Sequence, residues 1–196
     1  MIGMRILRPL TICVVLSVSL PILASCSSNG SSPTPTISGS QAPAPGSQEG
    51  VHSVADTDYE QIALAVDTTQ VQLDDVAADP ARKASPAVLA IAKQSAATVG
   101  PEATTLRAKL VKDGNATTSD HHKPAVSSGQ VDALKQLSGT AFDTAWARAM
   151  ISLNEQVIAA AVTEMNVGED QTTRALARAK IDYASAQNGA LRPIAK

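Results

Sequence analysis

The chain has 196 residues, with 16 basic and 18 acidic side chains and a formal net charge of −2, and its scattered lysines form no basic patch of the kind that binds nucleic acid. Aromatic residues make up only 2% of the chain, so the helices predicted below can approach closely but each buries a modest area. Cys13 and Cys26 are the only thiols, and both lie near the start, which excludes a disulfide, a catalytic cysteine or a thiolate metal site in the remainder.

The first 25 residues have the pattern of a secretory signal peptide. Arg5 and Arg8 give a basic start, and the apolar run over residues 9–24 is shorter than the roughly 20 residues of a transmembrane helix. Residues 23–26, LASC, resemble the lipobox of bacterial lipoproteins. The resemblance implies a signal peptide over residues 1–25 and a mature chain that begins at Cys26, whose thiol carries a palmitate-type lipid anchor. An ordinary cleaved signal with an incidental cysteine is the alternative.

Residues 26–52 follow as a predicted tether. Serine, glycine, proline and threonine dominate residues 27–50, and Ile37 is their only large apolar side chain. Such a composition cannot bury enough surface to offset the entropy lost on ordering, so the sequence predicts a flexible spacer that spans roughly 25–30 Å.

The first predicted helix starts near Thr57, where Thr57 and Glu60 have the spacing of a capping box, and ends at Asp79-Pro80. Its apolar stripe consists of Ile62, Val66, Thr69, Leu73 and Val76.

The second predicted helix starts at Ser85-Pro86, a cap followed by proline in the first turn. Gly100-Pro101 falls inside it and predicts a kink or a short break. Residues 112–115, KDGN, are expected to close it.

Two more long helices follow a polar loop over residues 113–129 and a short helical turn over residues 131–137. Thr140 and Asp143 are predicted to cap the third helix reciprocally, and Gly168 to end it. The fourth helix is predicted from about Asp170. The third helix carries the stripe Phe142, Trp146, Met150, Leu153, Val157, Ala161 and Met165, and the fourth carries Leu176, Ala179, Tyr183 and Leu191.

These elements predict one all-α domain over residues 53–196, an antiparallel four-helix bundle. Residues 137–143, LSGTAFD, ahead of a helix with Met150, resemble the pattern of secreted, ferritin-like helical bundles of unknown function, often labelled predicted outer-membrane proteins. Residues 71–73, VQL, and 83–88, KASPAV, also resemble that pattern, and the match runs from about Thr57 to Leu191. The resemblance implies a ferritin-like fold and an extracytoplasmic location.

Metal chemistry lacks its usual ligands in this sequence. Many members of that family carry histidines on the second, third and fourth helices, where this chain has Glu102, Asn154 and Gln187-Asn188. A di-iron site also needs Glu-x-x-His pairs, and this sequence contains none. The adjacent pair His121-His122 is more consistent with a solvated loop, although Asp113, Asp120 and His52 are the residues that could complete a weak zinc or copper site. Asp74-Asp75 is expected to lie on a solvated face.

We therefore assign no catalytic, cofactor-binding or metal residue from sequence, and only Cys26 as a lipidation site. The predicted function is a non-catalytic binding or structural role: a lipoprotein on the extracytoplasmic face of the cell membrane, or of an outer membrane, which displays the bundle to a partner such as a cell-envelope protein. A carrier of a small apolar ligand is the alternative, and a metal-handling ferritin-like protein is a further one. Inward-facing histidine and glutamate on the helices would favour metal handling, and the sequence is taken to lack both.

Overall fold

The computed structural model describes residues 52–117 and 122–196, and this part of the chain is all-helical, with no strand. The predicted all-α class is confirmed, whereas the predicted signal peptide, the lipid anchor and residues 26–51 of the tether lie outside the described residues. A 3₁₀ turn, Pro80–Arg82, joins the first two helices. The helices are α1 (Val54–Ala78), α2 (Pro86–Lys112), α3 (Ser128–Leu134), α4 (Gly139–Val167) and α5 (Gln171–Leu191).

Helix α1 begins three residues before the predicted start, because the capping box is formed by another pair. The Ser53 hydroxyl oxygen accepts from the backbone N–H of Asp56, and the Asp56 carboxylate accepts from the backbone N–H of Ser53. Thr57 and Glu60 have the same sequence spacing but do not cap the helix. Glu60 is free to point inward, where it is fully buried.

Helix α1 is also the most enclosed helix. It packs against α2 and α4, and side chains of α5 reach it through hydrogen bonds. Trp146 of α4 donates from its indole nitrogen to the backbone oxygen of Leu73, at 3.0 Å. Only five side chains of α1 are exposed: Val54, Asp58, Gln72, Asp75 and Ala78. Its buried face is therefore wider than its apolar stripe and includes polar residues.

Helix α2 starts at Pro86 with Ser85 as its cap, as predicted. The predicted break at Gly100-Pro101 is wrong, since the helix continues through Pro101 to Lys112. Proline removes a single backbone donor, and the hydroxyls of Thr104 and Thr105 donate to the backbone oxygens of Gly100 and Pro101 in the turn that follows.

The predicted reciprocal cap between Thr140 and Asp143 is wrong as well. Ser138 is the cap residue of α4 and makes no side-chain cap hydrogen bond, while Gly139 has a φ of +60°. Asp143 instead accepts from the backbone N–H of Ser85, at 3.1 and 3.3 Å. The motif at residues 137–143 therefore joins the start of α4 to the start of α2.

The core follows the predicted stripe of α4, in which every member except the half-buried Met165 is buried. The predicted stripe of α5 is wrong in part, because Ala179 is exposed and Leu176 and Tyr183 are only half-buried. The buried residues of α5 are Thr173, Ala177, Lys180, Ala184, Gln187, Asn188 and Leu191. Four of these seven are polar, so a search for apolar residues alone misplaces the inner face.

We expect Asp143→Ala to lower the free energy of unfolding of residues 51–196 by about 1–2 kcal/mol, because the substitution removes the acceptor that fixes the start of α2. Urea unfolding measures the change. Asp182→Ala, which removes an exposed aspartate from α5, is the matched control. If both substitutions stay within about 0.5 kcal/mol of wild type, the link between α4 and α2 contributes nothing to stability.

Candidate functional site

A row of buried polar and charged side chains runs along the inner face of α1, and we call this row and its partners the polar core. The members on α1 are separated by three, four or seven residues, so they share one face of the helix. They are Asp56, Glu60, Asp67, Gln70 and Asp74, and their buried partners are Ser95, Asn154, Glu164, Thr173, Lys180, Gln187 and Asn188.

Asp56 holds the first end of the polar core together. Its carboxylate accepts from the backbone N–H and the hydroxyl of Ser53, both at 2.6 Å, and from the backbone N–H groups of Glu169 and Asp170 at 3.4 and 3.1 Å. Burial alone would raise the pKa of Asp56, but these donors hold it well below its usual range. One ionised carboxylate thus ties the start of α1 to the loop between α4 and α5.

Glu164, near the end of α4, lies beside Asp56. Burial raises the pKa of Glu164 to about 7, and the neighbouring Asp56 carboxylate adds to the effect. Its carboxyl group packs against Gly168, where a Cβ atom would overlap it. Near neutral pH the proton on this pair therefore belongs to Glu164, which is about half protonated at pH 7, while Asp56 stays ionised.

Lys180 of α5 supplies a buried positive charge in the middle of the polar core. Its Nζ atom lies 2.8 Å from Asp67 on α1 and 2.7 Å from Glu102 on α2. Burial would lower the pKa of Lys180, but the two carboxylates outweigh it and raise the pKa above its ordinary value. The lysine therefore remains charged and links three helices.

An amide cluster lies next to this ion pair. Asn154 accepts from Gln70 at 2.6 Å and donates to Gln187 and Asn188, both at 2.8 Å. Asn154, Gln187 and Asn188 stand at positions where many members of the family that the sequence resembles carry histidine. The structure brings them together on α4 and α5, where they satisfy one another as neutral amides.

The second end of the polar core contains Asp74, which is only 3% exposed. The prediction that Asp74 and Asp75 share a solvated face is wrong for Asp74 and correct for Asp75, which is exposed. Burial raises the pKa of Asp74 to about 7, opposed by a hydrogen bond from Ser95. The polar core therefore has a carboxyl group that titrates near neutral pH at each end.

A large groove opens at the surface beside the first end of the polar core, and we call it the end groove. It has a volume of about 1080 Å³. It is lined by His52, Ser53, Val54, Thr57, Thr105, Ala108, Lys109, Lys112, Asp113, Asn115, Asp170 and Thr172. It therefore joins the segment before α1 to the end of α2 and the start of α5, and polar side chains of both charges reach it.

Lys109 lies at the floor of the end groove among carboxylates. Its Nζ atom is 2.7 Å from Glu60, 3.1 Å from Asp113 and 4.0 Å from Asp170. Burial would lower its pKa, but hydrogen bonds to Glu60 and Asp113 raise it instead. For Asp170, burial would raise the pKa, but hydrogen bonds from the backbone N–H groups at the start of α5 lower it. His52 and Lys109 lower it further by smaller amounts. Lys109 and Asp170 are therefore both charged at neutral pH.

The structure separates the residues that sequence grouped as a weak metal site. His122 lies 3.3 Å from Asp58, while His121 and Asp120 lie outside the described residues. His52 and Asp113 meet instead in the end groove, together with Glu60.

The expectation that no helix presents an inward glutamate is wrong, because Glu60 and Glu164 are fully buried. The signal that could have found Glu60 is its seven-residue spacing to Asp67 and from there to Asp74, which places all three on one helix face. None of the helices in the described part of the chain combines the length and the hydrophobicity that a bilayer crossing requires.

The family described as Domain of unknown function (DUF305) matches residues 56–193. A crystal structure of a DUF305 protein from Streptomyces coelicolor, described as secreted, resembles the fold with a TM-score of 0.63 at 14% sequence identity. The match covers 70% of this chain and 89% of that one. Among curated proteins, none shows significant similarity to this chain. The resemblance to a family of unknown function with secreted members is thus confirmed, whereas lipid anchoring is not tested.

We expect Glu164→Gln to change the pH dependence of stability. The folded protein holds the Glu164 proton more tightly than the unfolded chain, whose carboxyl pKa is 4.5, so stability falls as the pH rises from that value through about 7. Glutamine mimics the protonated form and should be more stable than wild type at pH 8 by about 1–2 kcal/mol, with little difference at pH 5.

Urea unfolding of residues 51–196 at the two pH values measures this difference. Glu155→Gln is the control, because Glu155 is an exposed glutamate on the same helix. A constant offset between Glu164→Gln and wild type across the pH range would contradict a proton held by the Asp56–Glu164 pair.

Proposed function

Because the chain belongs to the DUF305 family of domains of unknown function, we propose its role from its own features: it is a lipid-anchored cell-envelope protein that acts by binding, without catalysis. The proposal rests on the sequence features at Cys26 and on the end groove. Two or three acyl chains on one cysteine would hold the protein stably at the membrane, since each buried CH₂ group contributes about 0.8 kcal/mol.

The proposal includes the ferritin-like, antiparallel four-helix arrangement. The four long helices have 25, 27, 29 and 21 residues, similar lengths that suit side-by-side packing. A short turn joins α1 to α2, and residues 168–170 alone join α4 to α5, so each pair would run in opposite directions. Helix α3 lies within the long link between the two pairs.

The observation that carries the binding role is the position of the end groove. His52, Ser53 and Val54 line it, so the groove lies where the predicted tether joins the helices. A partner in the envelope would reach this end of the domain over the roughly 25–30 Å that the composition of residues 27–50 allows. The lining contains lysine and aspartate side chains as well as uncharged hydrogen-bonding groups, which suits a polar partner such as an envelope protein.

The same features weigh against the carrier and the enzyme. A carrier of a small apolar ligand needs a pocket lined mainly by hydrophobic side chains, and the end groove is lined mostly by polar ones. In the polar core, Lys180 pairs with Asp67 and Glu102, and Gln70 is bonded within the amide cluster, so these contacts favour a role in holding the fold together.

We expect Cys26→Ser to abolish lipidation. In cells fed labelled palmitate, wild type should carry the label, whereas Cys26→Ser should carry none and should remain at the mass of the uncleaved precursor. Cys13→Ser is the matched control, because Cys13 lies within the predicted signal peptide and should leave the label unchanged. A labelled Cys26→Ser protein would contradict the anchor.

We expect a photo-crosslinking residue at Thr172, in the end groove, to form an adduct of defined mass on intact cells. Arg178, which is exposed on the same helix and does not line the groove, is the control position. Mass spectrometry identifies the adducts. Equal adducts from the two positions, or none from Thr172, would contradict a binding role for the end groove.

A further inference from the structure

We propose that His52, Glu60 and Asp113 form a site for one divalent zinc ion at the floor of the end groove. Ligand atoms of these three residues all lie within 4.8 Å of one another, although the residues come from the segment before α1, from α1 itself and from the residue after α2. Small side-chain adjustments would bring all three to the roughly 2.0–2.2 Å at which imidazole and carboxylate bind zinc.

Buried atoms without partners point to a missing ligand. The Oε2 atom of Glu60 and the Nε2 atom of His52 are buried and have no hydrogen-bond partner among the described residues. Glu60 itself is completely buried. Leaving such groups unsatisfied is costly, and a cation between Glu60 Oε2 and His52 Nε2, which are 3.8 Å apart, would satisfy both.

Asp170 is placed to orient the histidine. Its Oδ2 atom lies 3.5 Å from Nδ1 of His52, on the side of the ring opposite to Glu60. A carboxylate that accepts from one ring nitrogen leaves the other free to bind a metal, the arrangement that accompanies most zinc-binding histidines. Asp170 is thus a positioning residue, and zinc would bind Nε2.

The charge of the cluster suits a divalent ion. Glu60, Asp113 and Asp170 provide three carboxylates around one ammonium group, that of Lys109. With His52 neutral, two negative charges remain uncompensated. Imidazole and carboxylate are both ligand types that zinc accepts, and three protein ligands with the groove open for water as the fourth match the ligand count of zinc sites that keep an open position.

Lys109 competes with the metal. Its ammonium group contacts two of the proposed ligands, Glu60 and Asp113, so the lysine must leave when zinc binds. Its side chain is 30% exposed and borders the open groove, which gives the ammonium group a path to solvent. Removing its charge should therefore tighten zinc binding.

The site deepens the proposed binding role of the end groove, but zinc binding requires neither the anchor nor an envelope partner. Its failure and the failure of that role are therefore distinguishable. The experiment is a zinc titration of the full chain in detergent, followed by competition with a chromophoric chelator, with circular dichroism to verify folding. We expect one equivalent to bind, and His52→Ala and Glu60→Gln each to weaken the affinity by at least about tenfold.

Two lysines provide a matched comparison. Lys109→Met should tighten binding by about tenfold, because it removes the competing charge, whereas Lys112→Met should leave it unchanged, since Lys112 lines the same groove without contacting the cluster. Replacing both His121 and His122 by alanine should also change nothing. The proposal is overturned if no saturable binding occurs, if folded His52→Ala and Glu60→Gln bind as wild type does, or if the double alanine variant loses the zinc.

Discussion

The enclosure of α1 by its neighbours makes the acidic side chains on its inner face dependent on donors and cations inside the molecule wherever they stay ionised. A buried carboxylate without a donor or a cation costs several kcal/mol, so the surrounding residues cannot be chosen for packing alone. Asp56 accepts from backbone and hydroxyl donors, Asp67 pairs with Lys180, and one carboxylate oxygen of Glu60 is held by Thr173 and Lys109. The polar groups of α5 are buried because α1 requires them.

These pairings fix how the helices meet. Asp56 holds the loop after α4, Lys180 spans α1, α2 and α5, and Asn154 joins α1, α4 and α5. Hydrogen bonds and ion pairs are directional, whereas contacts between alanine side chains tolerate sliding, and alanine is frequent in this core. The polar core thus supplies a register that small apolar residues cannot. It also places the end groove, since Glu60 of the core contacts Lys109 and Asp56 of the core accepts from Asp170, and both Lys109 and Asp170 line the groove.

Sequence patterns predicted the helices well where the inner face is apolar. The stripe of α4 and the cap at Ser85 are confirmed, because both depend on neighbours within one or two turns. The patterns were misleading where a partner is distant in the chain. Asp143 accepts from the backbone at the start of α2 instead of capping its own helix, and Thr57 and Glu60 do not cap α1. The inner face of α5 carries Lys180 and amide side chains. The end groove could not be predicted for the same reason, since His52, Glu60 and Asp113 converge only after folding, and the apparent histidine pair at 121–122 drew attention elsewhere.

The triangle formed by Lys180, Asp67 and Glu102 restricts how this sequence can diverge. A neutral residue at position 180 would leave the fully buried Asp67 and the partly buried Glu102 without their cation, and a neutral residue at either acid would leave the lysine with one carboxylate partner. A substitution of Lys180 is therefore tolerated only together with a substitution of Asp67 or Glu102, so that no buried charge is left without its partner.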